Sequence, residues 1–389
     1  MRRVLQGIRV ADFSHVMAGP YATHLLRLFG AEIIKVEAPG GGDAIRYYGA
    51  DRRYDGMAPA FIGVNAGKKS IVLDLKQDRD RDSAYELIRR SDVLVENFRP
   101  GVMARLGLGQ EKAKELNPDL IYCSVSGYGQ SGPRRDWPAI DNIVQATSGM
   151  MSLGVGPDGG RPLRVGFPVV DTLTGYTAAF AILGSLFRRE REGGGEYLDV
   201  AMFDATIAFM TTAVVPWLVT GQALERTGNT GYSGQPTSAV FVARDGHYLS
   251  LGVVQQTQFE LLAQLLDRPQ WLKDERFADP DARRGNAKLM QDELSAVLRT
   301  RDAADWEAQL SAAGIPCGMV RDVSEAMSLP SLDARSLRLP MHIAGLPDSE
   351  QVSILDLGIV GSRDDGADLE PPPRLGEHTD EVLAWLDRS

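Results

Sequence analysis

The sequence predicts an α/β protein built on a mainly parallel sheet. Short β-rich apolar runs alternate with helix-patterned stretches through the first half of the chain. The first two runs, 8–13 and 32–36, flank a helical stretch with Pro20 near its start and Gly30 just past its end, which makes one βαβ unit. No internal repeat or low-complexity tract competes with that reading.

Further strands are expected at 70–75, 93–97 and 120–125. An apolar helix rich in small residues should run over 172–189, closed by the glycines at 193–195 and followed by a strand at 197–201. Its Gly175, Ala178, Ala179 and Gly184 would let neighbours approach closely, so it reads as buried on several sides. The stretch 205–224 is taken the same way, as a buried helix and not a membrane span.

Composition shifts near Arg226, where Gly228, Gly231 and Gly234 precede a strand pair at 239–243 and 248–252. The expected organisation is a large α/β domain over 1–200, a linker helix over 201–225, a smaller α+β domain over 226–330, and a return to the large domain over 331–389. A final helix is expected at 379–386.

The chain has 389 residues, 43% of them hydrophobic and 24% charged, as in ordinary globular proteins. A net charge of -10 argues against nonspecific nucleic-acid binding, which needs many cations on phosphates. Two cysteines, Cys123 and Cys317, form no paired spacing, and the five histidines show no metal-ligand pattern. Gln6, Arg9 and Asp12 interrupt any signal-peptide core, so a cytoplasmic protein is expected.

Among chemistry-bearing residues, Asp171 is the most informative. It lies in GFPVVDTLTG (166–175), where an extended segment enters the apolar helix, at or beside the N-cap. It can be read as a helix cap. It can also be read as a carboxylate held ionised by the helix dipole and N–H donors, ready to attack an electrophile. The turn after the first strand, Ser14 to Gly19, lies where α/β sheets bind ligands, but it lacks the three-glycine dinucleotide fingerprint. Lys68 and Lys69, and Arg99 and Arg105, stand in or near loops where they could contact phosphates or remain solvated. No serine nucleophile elbow is present.

Several motifs then occur in order: VADFSHVMAGP (10–20), GAEIIKVE (30–37), KKSIVLDLK (68–76), DVLVENFRPG (92–101), SGYGQSGP (126–133) and RLGEHT (374–379). Together they resemble the class III coenzyme A transferase family, which includes formyl-CoA and carnitine CoA-transferases and is related to alpha-methylacyl-CoA racemases. The resemblance spans nearly the whole chain. It implies Asp171 as a covalent nucleophile and a coenzyme A site along Val16, Met17, Ala18, Leu73, Asp74, Leu75, Lys76, Asn97, Phe98, Arg105 and Asp141. It also implies a substrate loop at Ser233, Gly234 and Gln235. The fold it implies is a doubly wound, Rossmann-like large domain plus a small domain, in an interlocked ring-like homodimer. Acyl-CoA and small carboxylic acids would be the substrates, with no metal or permanently bound cofactor and neither nucleic acid nor membrane as partner.

The implied reaction moves coenzyme A between acids through aspartyl anhydride and aspartyl-CoA intermediates. Ala38 and Pro138 stand where formyl-CoA transferases carry basic residues, and Met17 replaces a glutamine. The racemase alternative requires a histidine before the aspartate at 141, where Ile140 stands and cannot exchange a proton. A non-catalytic acyl-CoA binding protein is the third reading, but it would gain nothing from Asp171.

Overall fold

The computed structural model describes the chain except for residues 1–3, 156–158, 223–227, 229, 232, 344–345, 348–350, 363–368 and 389. Six parallel strands form the main sheet: β1 (Arg9–Asp12), β2 (Glu32–Glu37), β3 (Lys69–Val72), β4 (Val93–Glu96), β5 (Ile121–Ser126) and β6 (Glu196–Ala201). Their order is β3-β2-β1-β4-β5-β6, a doubly wound sheet whose direction of winding reverses between β1 and β4. Pairing in register, such as Val10 with Val93 and Ala11 with Ile34, sends alternate residues to opposite faces.

One face carries Val10, Ile33, Val93 and Ile121 against α1 (Ala18–Leu28) and α7 (Val169–Glu192). The other carries Ala11, Ile34, Leu94 and Tyr122 against α3 (Asp78–Arg89), α5 (Gln110–Leu116) and α16 (Thr379–Leu386). Both faces are thus dry, as a parallel sheet requires. Gly175 fixes how closely α7 meets α1: a Cβ there would lie 2.9 Å from the Ala18 carbonyl oxygen. α7 is long and apolar enough to cross a membrane, but half of its apolar window is buried inside the protein, as in a core helix.

The RLGEHT motif seals an edge. β3 is an outer strand, and the His378 amide donates to the Ser70 carbonyl at 2.9 Å while Thr379 Oγ1 accepts from the Val72 amide at 3.1 Å. Exposed strand edges invite pairing with other chains, and this motif covers one.

Shorter helices complete the first half: α2 (Pro59–Asn65), α4 (Val102–Arg105) and α6 (Asp141–Thr147). The apolar stretch beginning near 202 departs from expectation. It forms two helices, α8 (Met202–Phe209) and α9 (Thr211–Thr220), bent by 80°. No residue of α9 is buried within this chain, although its composition is apolar; residues 223–224 lie outside the described residues.

Two compact units result, one made of 1–150, 164–219 and 330–389, the other of 151–163 and 220–329. The first also holds α15 (Pro330–Ala334) and the antiparallel pair β10 (Arg338–Met341) and β11 (Val352–Leu355), packed on α2 through Met341, Ile354 and Ile62. The second has an antiparallel sheet of β7 (Ser238–Val242), β8 (Tyr248–Gly252) and β9 (Cys317–Met319). Its helices are α10 (Gln256–Leu265), α11 (Pro280–Gly285), α12 (Ala287–Leu298), α13 (Ala303–Ala312) and α14 (Val323–Met327), around a core that includes Phe259, Trp271 and Leu294.

Candidate active site

At the winding reversal the chain leaves β1 through a strained turn. Val16 has φ of 64°, a left-handed conformation that a β-branched residue adopts only when its surroundings impose it. Asn97, just past β4, holds the preceding residue from both sides: its Oδ1 accepts from the His15 amide at 2.7 Å and its Nδ2 donates to the His15 carbonyl at 2.8 Å. Asp43 accepts the Val16 amide at 3.0 Å and pairs with Lys35 at 2.9 Å, both side chains fully buried. Lys35 in turn donates to the Ser14 carbonyl at 2.7 Å. Burial would raise the Asp43 carboxyl, but the Lys35 ammonium together with the Val16 and Ile45 amides outweighs it and holds the group below its ordinary value.

Lys68, just before β3, and Lys69, its first residue, are committed to carboxylates of the fold. Lys68 is buried against Asp12 at 3.0 Å, and Lys69 pairs with Glu32 and Glu381. Burial works against the Asp12 charge, but Lys68 and Lys35 overcome it and keep the carboxyl well below its ordinary value.

Asp171 does not cap its helix. α7 begins two residues earlier than Asp171, with Pro168 at the cap position and no side-chain cap of its own. The cap comes from Asp141, at the start of α6, whose Oδ2 accepts from the amides of Val170 at 2.7 Å and Asp171 at 3.2 Å. Gln145 donates to Asp141 Oδ1 at 2.6 Å and accepts the Val165 amide at 2.9 Å, tying the approach segment to α6. With the helix amides committed to Asp141, the Asp171 carboxylate is left over. Burial, and then the Asp141 charge beside it, push its carboxyl up to about 7. The expectation of a carboxylate held ionised by N–H donors is therefore reversed: those donors serve a neighbouring carboxylate.

A cavity of about 560 Å³ opens beside Asp171, at the carboxyl ends of β1, β4 and β5. Of the residues singled out from sequence, Val16, Met17, Ala18, Asn97, Phe98, Asp141 and Asp171 line it. Leu73, Asp74, Leu75 and Lys76 form the turn from β3 to α3, where Leu73 is core and Asp74 accepts the Lys76 amide at 3.2 Å; they lie outside the cavity wall, as does Arg105 at the end of α4. Ser233, Gly234 and Gln235 belong to the other compact unit, where Gly234 has φ of 67° and Gln235 donates to the Pro280 carbonyl at 3.2 Å.

The wall also holds Arg99, Arg135 and Arg164, with Trp137 and Phe167. The last four were not anticipated from sequence, because isolated residues in irregular segments carry no periodic signal. Asp43 and Gln145 were missed because their partners, the Val16 amide and Asp141 with the Val165 amide, are brought to them only by the fold. Among the described residues, no group of three or more His, Cys, Asp or Glu could hold a metal ion.

A doubly wound sheet with a cavity at its winding reversal, a carboxyl pushed up by burial inside it and three arginines on the wall describes an α/β enzyme for anionic substrates. Comparison with known proteins is more specific. The chain matches the model of CoA-transferase family III over residues 5–379, and it belongs to that family. It is 40% identical over 357 residues to acetyl-CoA:oxalate CoA-transferase of Acetobacter aceti, covering 89% of this chain and 90% of the relative. It is 33% identical to succinyl-CoA:glutarate CoA-transferase of Mus musculus, covering 97% of this chain and 85% of that one. A crystal structure of a CAIB/BAIF family protein from Brucella suis superposes with a TM-score of 0.86 at 31% identity, covering both chains fully. The protein is a CoA-transferase, and an acyl-CoA thioester is its substrate.

Proposed function

We propose that Asp171 is the nucleophile that carries acyl and coenzyme A groups between small mono- or dicarboxylic acids. The observation that carries this reading is the cap supplied by Asp141, which leaves Asp171 in the cavity without a structural task. The ionised Asp171 attacks the thioester carbonyl, and the carbon–sulfur bond breaks to give a mixed anhydride and coenzyme A thiolate. The thiolate attacks the Asp171 carbonyl, releasing the donor acid and leaving an aspartyl-CoA thioester. An acceptor carboxylate then repeats both exchanges in reverse, so the thioester bond energy is retained throughout. A carboxyl near 7 suits both directions, since it is available as a nucleophile and is also a competent leaving group.

Oxyanions forming on these carbonyls need donors, and those of α7 are taken. The first-turn amides of α1 at Ala18 and Gly19 have no intrahelical partner and stand at the wall formed by Met17 and Ala18. We assign them this role. Arg99, Arg135 and Arg164 supply the positive charge that an anionic coenzyme requires.

The relatives are named for acetyl, oxalate, succinyl and glutarate groups, which supports small acids as donors and acceptors here. The interlocked homodimer belongs to the same proposal. Phe180, Leu218 and Val219 are 79%, 65% and 78% exposed, an apolar surface that a partner subunit would cover. Sedimentation at nanomolar concentration should give no compact monomer.

The test of the nucleophile is chemical. Hydroxylamine added with an acyl-CoA donor should intercept the activated aspartyl carbonyl and leave a hydroxamate on Asp171, read by peptide mass spectrometry. An unmodified Asp171 in an actively turning-over enzyme would remove it from the covalent pathway.

A further inference from the structure

A second cavity, of about 730 Å³, lies in the same compact unit and shares two wall residues, Met17 and Pro168, with the cavity that holds Asp171. Pro168 is the cap residue of α7, so only about 4.5 Å of helix rise separates it from Asp171. The two spaces therefore adjoin at Met17 and Pro168, about one helical turn from the reacting residue. Their chemistry differs. Three arginines line the first. The second is walled by Tyr21, His24, Tyr54, Gly63, Tyr176 and Ile354 among others, and among the described residues no lysine or arginine lines it. His24 is neutral there, because burial and the nearby Lys68 and Arg27 charges lower its imidazole to about 3. The one carboxylate on its wall is Asp356.

We propose that this second cavity receives the acyl chain of the acid being activated, and that the preferred acids are therefore monocarboxylates with an uncharged chain longer than acetyl. A chain extending from the carbonyl at Asp171 passes Met17 and Pro168 into an apolar space, where its methylenes leave water. The far carboxylate of a dicarboxylic acid would enter the same largely apolar space, whose described wall holds no lysine or arginine to meet it. Met17, an unbranched and polarisable side chain, suits the junction. This inference rests on the proposed transfer through Asp171 and adds the substrate class to it.

Acids matched in length separate the charges without altering the protein. With acetyl-CoA as donor, pentanoate should exceed glutarate, and heptanoate should exceed pimelate, by at least about tenfold in kcat/KM. Gly63 offers an independent test. It lies in α2 with ordinary backbone angles, and a Cβ there would meet nothing within 4 Å, so a side chain can grow into the space without a clash. Gly63→Leu should lower heptanoate transfer by about tenfold and change propanoate transfer by less than about twofold. If Gly63→Leu does not fold, the matched acids decide alone. Glutarate equal to or better than pentanoate, or a Gly63→Leu enzyme with an unchanged chain-length profile, overturns the assignment. Transfer that favours dicarboxylates while Asp171 is trapped by hydroxylamine refutes the substrate class alone; no transfer and no trapping with any acid refutes the proposed function beneath it.

Discussion

Asp171→Asn should abolish transfer and at the same time stabilise the protein, by an amount that depends on pH. The folded state holds this carboxyl at about 7 against an ordinary value of 3.8. Below pH 4 the group is protonated in both folded and unfolded chains and contributes no difference. Between pH 4 and 7 the unfolded chain releases the proton while the folded chain retains it, so stability falls as pH rises and stays reduced above 7. Taken in full, that shift corresponds to about 4 kcal/mol at ~1.4 kcal/mol per unit. Water in the open cavity and local relaxation reduce it, and the lost charge at the N-terminus of α7 removes a smaller favourable term, leaving roughly 1–3 kcal/mol. At about 0.8 kcal/mol/K of unfolding entropy for 389 residues, Tm at pH 8 should rise by about 1–4 °C, with a rise only about a quarter as large at pH 4.5. Thermal melts of both proteins across this range, with transfer assayed on the same samples soon after purification, check it. A variant that melts at or below the wild type at pH 8 would mean Asp171 is stabilised in the fold and is not a strained, unspent carboxylate.

Three further outcomes follow from neighbouring contacts. Asp141→Asn keeps an acceptor for the α7 amides but removes the charge beside Asp171, so the acid limb of the pH–rate profile should move to lower pH; Asp141→Ala removes the cap as well and should cost about 1–2 kcal/mol. Lys35→Met leaves Asp43 buried without its partner and should destabilise by about 3–5 kcal/mol with a higher KM for acyl-CoA, whereas adding Asp43→Asn should recover part of the stability in a double-mutant cycle. Gly175→Ala drives a methyl to within 2.8 Å of Tyr21 Cδ1 and 2.9 Å of the Ala18 oxygen, so melts should show a loss of about 1–3 kcal/mol even though alanine favours the helix.

The sheet was legible because its strands are buried on both faces, which writes continuous apolar runs into the sequence. The βαβ start, the ligand-binding end of the sheet and Asp171 as the residue of interest followed from local pattern and ordered motifs. The relation of Asp171 to its helix did not. A cap donated by Asp141, 30 residues away, leaves no mark near position 171, and the nearest visible carboxylate took the role in the reading from sequence. The same holds for Lys68, whose partner Asp12 lies 56 residues earlier and turns an apparent phosphate contact into a core ion pair. Local composition reports propensity, whereas charge pairing depends on which strands become neighbours.

The cover on β3 also sets a clock. Ser70 and His378, which meet at that edge, are 308 residues apart. At roughly 5–20 residues per second of synthesis, the strand waits about 15–60 s for the segment that shields it. Throughout that interval the nascent sheet offers an unpaired edge, and chains shortened before residue 374 would offer it permanently. The 374–379 segment is thus a late-arriving cover for the sheet, and its loss should surface as aggregation in the cell before it surfaces as altered catalysis.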